Sequence, residues 1–150
     1  MPSLSAAEGR TWTVVMPWPS RDLHPNARVH WSRRAKAAKQ ARNDAAWTAH
    51  AAGIRKIEAE ALAVTAIFTP PDHRPRDIDG MLSSIKSYLD GIADAIGVDD
   101  SKWRIAIRRD APAGPGSVHI TITASDTWEH ISEPLGRVIA AIPEPKRGAA

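Results

Sequence analysis

Five apolar residues, Leu82, Ile85, Leu89, Ile92 and Ile96, recur at helical spacing and stop at Gly97. They place one continuous apolar stripe on a helix over residues 80–96, and such a stripe must be buried against another layer. Gly97 supplies the left-handed stop. The segment before it, residues 61–68, is apolar at nearly every position and ends at Pro70-Pro71. It reads as a central strand. The segment after it sets Trp103, Ile105 and Ile107 against Arg104, Ala106 and Arg108, the alternation of a half-buried strand.

The remaining elements follow from local chemistry. Residues 11–17 are rich in β-branched side chains and stop at Pro17, which predicts a strand. Prolines and Asn26 make residues 17–26 a loop. Ala, Lys, Arg and Gln dominate residues 31–52, a helix that Gly53 ends, with Ala35, Ala38, Ala45 and Ala49 near one face. Residues 111–116 read as a hairpin loop leading to a strand over 118–123, with Val118, Ile120 and Ile122 on one side. A short helix is expected within 128–142, a flexible start over 1–10 and a disordered tail over 143–150. Trp12, Trp47 and Trp103 are expected in the core, and Trp18 and Trp31 near loops. The order β-α-β-α-β-β predicts one α+β domain over residues 11–142, a mixed four-stranded sheet with helices on one face.

A chain of 150 residues suits a single core. The absence of cysteine excludes disulfides and thiolate metal sites, and fits the cytoplasm. No apolar run reaches the roughly 20 residues of a membrane span, and residues 1–5 lack signal-peptide character. The net charge of +3 hides a strong segregation. Arg28, Arg33, Arg34, Lys36, Lys39 and Arg42 occur with no acid among them, whereas acids gather between Asp77 and Asp100. That distribution suits a polyanion approaching an acidic, cation-holding pocket.

The acids carry the candidate chemistry. Asp77 and Asp79 are two apart, so in extended chain both point to one side and can share a hard cation. On one unbroken helix, Lys86 and Asp90 return to within roughly 20° of Asp79. Asp99 and Asp100 follow the helix and can approach the first acids only if the strand after Lys102 lies beside the strand over 61–68. Each acid also has a plainer reading: Asp79 as a helix cap, Asp99-Asp100 as a turn, Lys86 with Asp90 as a surface pair. His24, His30 and His73 lie near the acids without the spacing of a zinc site.

The block Pro71-Asp72-His73-Arg74-Pro75-Arg76-Asp77-Ile78-Asp79 carries a resemblance. So do Lys86 and Asp90-Gly91 on the helix, and Val98-Asp99-Asp100-Ser101 beyond it. Together they resemble the RusA family of Holliday junction resolvases. The segment from Leu23 to Trp31 is similar to prophage members of that family. The resemblance implies a homodimeric endonuclease, dependent on Mg²⁺ with Mn²⁺ as a substitute, that cuts four-way DNA in recombination and repair. It implies metal binding by Asp77, Asp79 and one of Asp99 and Asp100, the latter the better match, and a catalytic lysine at Lys86. Two positions depart from the family pattern: Gly80 stands where an Asn is usual, and Lys86 lies two turns after Asp79 instead of one.

On this reading Arg74 and Arg76 contact phosphates flanking the cut. Arg28, Arg33, Arg34, Lys36, Lys39 and Arg42 contact the DNA backbone, without reading sequence. The alternatives are a branched-DNA-binding module without catalysis and a metal-dependent nuclease for another branched DNA.

Overall fold

The computed structural model of the protein describes residues 10–59 and 61–125. The expectations for the first nine residues, for a helix within 128–142 and for the tail lie outside the described residues. In chain order the elements are β1 (Arg10–Pro17), α1 (Trp31–Ala51), β2 (Ala61–Thr69), α2 (Ile78–Ser84), α3 (Lys86–Ile96), β3 (Trp103–Arg109) and β4 (Ser117–Ser125). One-turn 3-10 segments occupy Arg21–Leu23 and Asp100–Lys102. The architecture is the expected one: an α+β domain with a mixed four-stranded sheet and three helices. Among the described residues no helix is long and apolar enough to cross a membrane.

The sheet order is β1-β4-β2-β3, with β2 and β3 parallel and both contacts of β4 antiparallel. Alternation assigns the faces. Val14 and Met16, Leu62, Val64, Ala66 and Phe68, and Val118, Ile120 and Ile122 are buried in one cluster with the helix residues Ala41, Ala45, Ala49, Ile85, Leu89, Ile92 and Ile96. The other face carries threonine pairs between β1 and β4. The Thr11 and Thr123 hydroxyls are 3.2 Å apart, and those of Thr13 and Thr121 are 3.4 Å apart.

Several expectations are corrected. Residues 111–116 do not close a hairpin, because β4 lies between β1 and β2 and never pairs with β3. The connection instead passes the end of β2, where Asp110 N–H donates to the Phe68 carbonyl and Ala113 N–H to the Pro70 carbonyl, each at 2.8 Å. β3 is left as an edge, so Ile105 is 42% exposed in place of the expected half-buried face.

The expected single helix is two, broken at Ile85, whose φ of −101° and ψ of 6° are not helical. The buried Ser84 hydroxyl donates to the Met81 carbonyl at 2.6 Å. Such back-bonding offers the backbone an alternative partner and bends helices. The apolar stripe survives the break, because Ile85 itself remains buried.

Trp47 is not core: it is 78% exposed, because Ala41, Ala45 and Ala49 form the buried row of α1 and residue 47 lies on the far side. Ala35 is exposed for a related reason, lying toward the exposed edge of that row. Trp103 is core, and its indole N–H donates to the Val98 carbonyl at 3.1 Å. Trp12 is half-buried against the same cluster.

Helices α1 and α3 meet at backbone distance. A Cβ on Gly91 would collide with the Arg42 carbonyl oxygen and stand 2.9 Å from the Ala45 Cβ. The helices have no room to part while their other side chains pack on the sheet. Gly91→Ala is therefore expected to lower stability by about 1–3 kcal/mol, the usual cost of overpacking, read from the urea midpoint; an unchanged midpoint would contradict this packing. In the same assay Trp103→Ala should cost about 3–5 kcal/mol, and Trp47→Ala should stay within about 0.5 kcal/mol of the parent.

Candidate functional site

The parallel pairing of β2 with β3 meets the condition that the acidic segments needed, and it also sets which strand end each segment adjoins. Register runs from Leu62 opposite Trp103 to Phe68 opposite Arg109. The chain leaves β2 toward Asp77 and Asp79 at the Phe68 end. It enters β3 from Asp99 and Asp100 at the Leu62 end, roughly 20 Å away at about 3.3 Å per residue. Arg109 confirms which end the first acids occupy, since its guanidinium donates to the Arg76 carbonyl at 2.7 Å.

At the Phe68 end, Asp77 is the N-cap residue of α2 but makes no side-chain cap bond, and Asp79 lies in the first turn. The capping position expected for Asp79 therefore belongs to Asp77. Both carboxylates are exposed, and neither has a side-chain hydrogen bond or ion pair among the described residues. Desolvation is avoided only because water reaches them, so they are available to a cation.

The segment ahead of them is fixed by Arg76. Its guanidinium donates to the Asp72 carboxylate at 2.8 Å and to the carbonyls of Asp72 and Arg74 at 3.1 Å. It also lies 5.2 Å from the centre of the Trp18 ring, a cation–π contact. The Asp72 carboxyl is held below its usual range, first by the Arg74 backbone N–H and then by Arg76. Arg76 is thus a brace with an 18% exposed side chain, whereas Arg74 is 75% exposed and only 3.7 Å from Asp72 at its nearest approach.

Gly80 has a local reason. A Cβ there would stand 3.2 Å from His24 Nε2, so the histidine ring takes the space that a side chain at residue 80 would fill. The loop after β1 is thereby seated on the first turn of α2. Sequence reasoning noted His24 as near the acids without finding this contact, and it passed over Arg21. The available signal was a glycine directly after Asp79 at the start of a helix, with a His-Pro-Asn turn upstream.

The second acidic group is balanced by cations. Lys86 Nζ lies 3.6 Å from Asp90 and 4.0 Å from Asp100. The Arg42 guanidinium holds Asp94 with two hydrogen bonds, at 2.6 and 2.8 Å, and lowers the Asp94 carboxyl below its usual range. Asp99 accepts the Ser101 N–H at 2.8 Å, the turn role considered for it, and that bond lowers its carboxyl as well. The helix edge expected to carry Asp79, Lys86 and Asp90 is divided by the break at Ile85, and Lys86 and Asp90 remain paired within α3. Among the described residues no three His, Asp or Glu side chains are gathered to hold a metal ion. Asp77, Asp79 and Asp100 do not form one ligand set in this arrangement.

The basic segment divides by engagement. Arg34 donates to the Ala27 carbonyl at 2.8 Å, and Arg42 is committed to Asp94. Arg33 pairs with Asp22 at 2.9 Å, though its side chain is 70% exposed. Arg28, Lys36 and Lys39 are exposed without a side-chain partner among the described residues.

No model of a known protein family matches the chain. Over 115 residues it is 44% identical to a protein of Xylella fastidiosa (strain Temecula1 / ATCC 700964) described as an uncharacterized protein, across 74% of this chain and 75% of that one. The chain belongs to the same protein family as this Xylella fastidiosa protein.

Proposed function

We propose that the protein is a Mg²⁺-dependent endonuclease that cuts four-way DNA junctions as a homodimer, in the manner of the RusA resolvases that it resembles. The observation that supports this most is the pair Asp77 and Asp79, two exposed and unpartnered carboxylates at one strand-to-helix junction. Mg²⁺ is commonly held by one or two carboxylates and several waters, so the pair suits that ion, and Mn²⁺ in its place. Asp100 and Lys86 stand together, 4.0 Å apart, and hold second place in the reading.

The bound ion supplies a water of lowered pKa and charge stabilisation at the phosphate. The chain's own part is positional. Asp77 and Asp79 fix the site at the start of α2. Arg74 neutralises a neighbouring phosphate, while Arg76 and His24 keep the two flanking loops in place. Arg28, Arg33, Lys36 and Lys39 supply exposed charge along the DNA backbone, an attraction that weakens steeply with salt.

A non-catalytic branched-DNA-binding module is the second reading. It draws on the lack of a three-carboxylate group among the described residues. Labelled four-way junction, fork and linear duplex, each incubated with and without Mg²⁺ or Mn²⁺, separate the possibilities. The expected result is paired nicks in the junction with metal. Asp77→Asn should lose nicking at least ~10²-fold, the scale of removing a group that stabilises transition-state charge, and should still bind the junction. Binding without nicks in either metal would favour the module, and nicking of the fork alone would assign another branched substrate.

A further inference from the structure

The cavity between the segment after β1 and the segment after β2 plays no part in holding the proposed ion. It measures about 420 Å³, and its lining includes Trp18, Arg21, His24, Asn26, Arg74 and Arg76 but no acid. That volume falls within the range of small-ligand pockets, about 300–1,000 Å³. It admits a nucleotide-sized group and not merely a bare ion.

The walls are built before any ligand arrives. Trp18 packs edge-on against Phe68, with ring centres 6.1 Å apart, and carries Arg76 on its face. His24 is seated over Gly80. Three of the five N–H donors of Arg76 go to Asp72 and to two carbonyls and its plane lies on Trp18, so it serves chiefly as wall. His24 Nδ1 accepts the Asn26 N–H at 3.1 Å, which leaves the proton of the neutral ring on Nε2.

Besides the His24 Nε2–H, three donor groups remain. The Arg21 guanidinium and the Asn26 amide have no side-chain partner among the described residues, and Arg74 is held only at 3.7 Å. Two cations and a neutral amide around an acid-free cavity match a phosphate group, which takes charge-assisted bonds from arginine above all.

We infer that this cavity is a binding site for a backbone phosphate of the DNA close to the cut, held by Arg21 and Arg74 with Asn26 as a neutral donor. The inference rests on the DNA reading above but not on catalysis. Backbone phosphates are the natural occupant because His24, which lines the cavity, is seated over Gly80, the residue next to Asp79. The contact positions the strand and carries no sequence preference.

The test uses the full chain in EDTA with a fluorescein-labelled four-way junction, titrated by anisotropy at several salt concentrations. Arg21→Ala is expected to weaken binding roughly five- to tenfold and to lower the slope of log affinity against log salt by about one. Asn26→Ala should weaken binding less and leave the slope alone. Arg10→Ala, at the start of β1, serves as the control and should change neither quantity.

Wild-type protein that binds the junction, with Arg21→Ala unchanged in affinity and slope, overturns the inference. A competing arm uses dAMP. If dAMP binds the wild type but not Arg21→Ala while junction binding is indifferent to Arg21, the cavity belongs to a free phosphate-bearing molecule and the DNA assignment falls. Because binding is read without metal, Arg21-dependent binding by a protein that never nicks supports the inference and removes the endonuclease reading. Nicking with an indifferent Arg21 does the reverse, and a wild type that binds no DNA overturns both.

Discussion

Parallel pairing of β2 with β3 governs the rest of the molecule. Two parallel neighbours cannot be joined by a tight turn, so the chain between them must travel back along the sheet. Here that return path is α2 and α3. The charged residues at its two ends therefore belong to opposite ends of the strand pair. Asp77 and Asp79 open the crossover and remain unpartnered, whereas Asp99 and Asp100 close it beside Lys86 and Asp90. The same acids that looked like one constellation along the chain are two groups in space, with different electrostatic states.

Packing explains why the crossover is shaped as it is. Its apolar stripe must face the buried side of β2 and β4, and Gly91 lets α1 close over it at backbone contact. Tyr88 adds a tie on the β1 side: its hydroxyl donates to the Pro17 carbonyl at 3.0 Å, and burial raises its pKa. That tie fixes α3 to the end of β1, from which the loop bearing Arg21 and His24 departs. The loop is thus held at both ends of its course, by Tyr88 at its origin and by Gly80 at its tip.

Most of the fold was legible because its signals are local. The apolar run of β2, the alternation of β4 and the stripe from Leu82 to Ile96 each name an element and a buried face. Strand order was not legible, because nothing within residues 111–116 tells a hairpin from a passage across β2. The break at Ile85 was hidden because a serine hydroxyl interrupts the helix without interrupting its apolar periodicity. Trp47 was misread from its residue type, although the four-residue spacing of Ala41, Ala45 and Ala49 already placed it on the outer side. For the site, two carboxylates two residues apart were readable. The distance from them to Asp100, and the seat of His24 over Gly80, depend on contacts distant in sequence.

The central claim is that Asp77 and Asp79 hold a divalent ion at the start of α2. Crystals soaked in Mn²⁺ and measured at a wavelength where manganese scatters anomalously test it most directly. The account predicts an anomalous peak between the two carboxylates, at about 2.0–2.6 Å from their oxygens, the range for hard cations. A map with no peak at that position, or with manganese only among Asp90, Asp94 and Asp100, would contradict it.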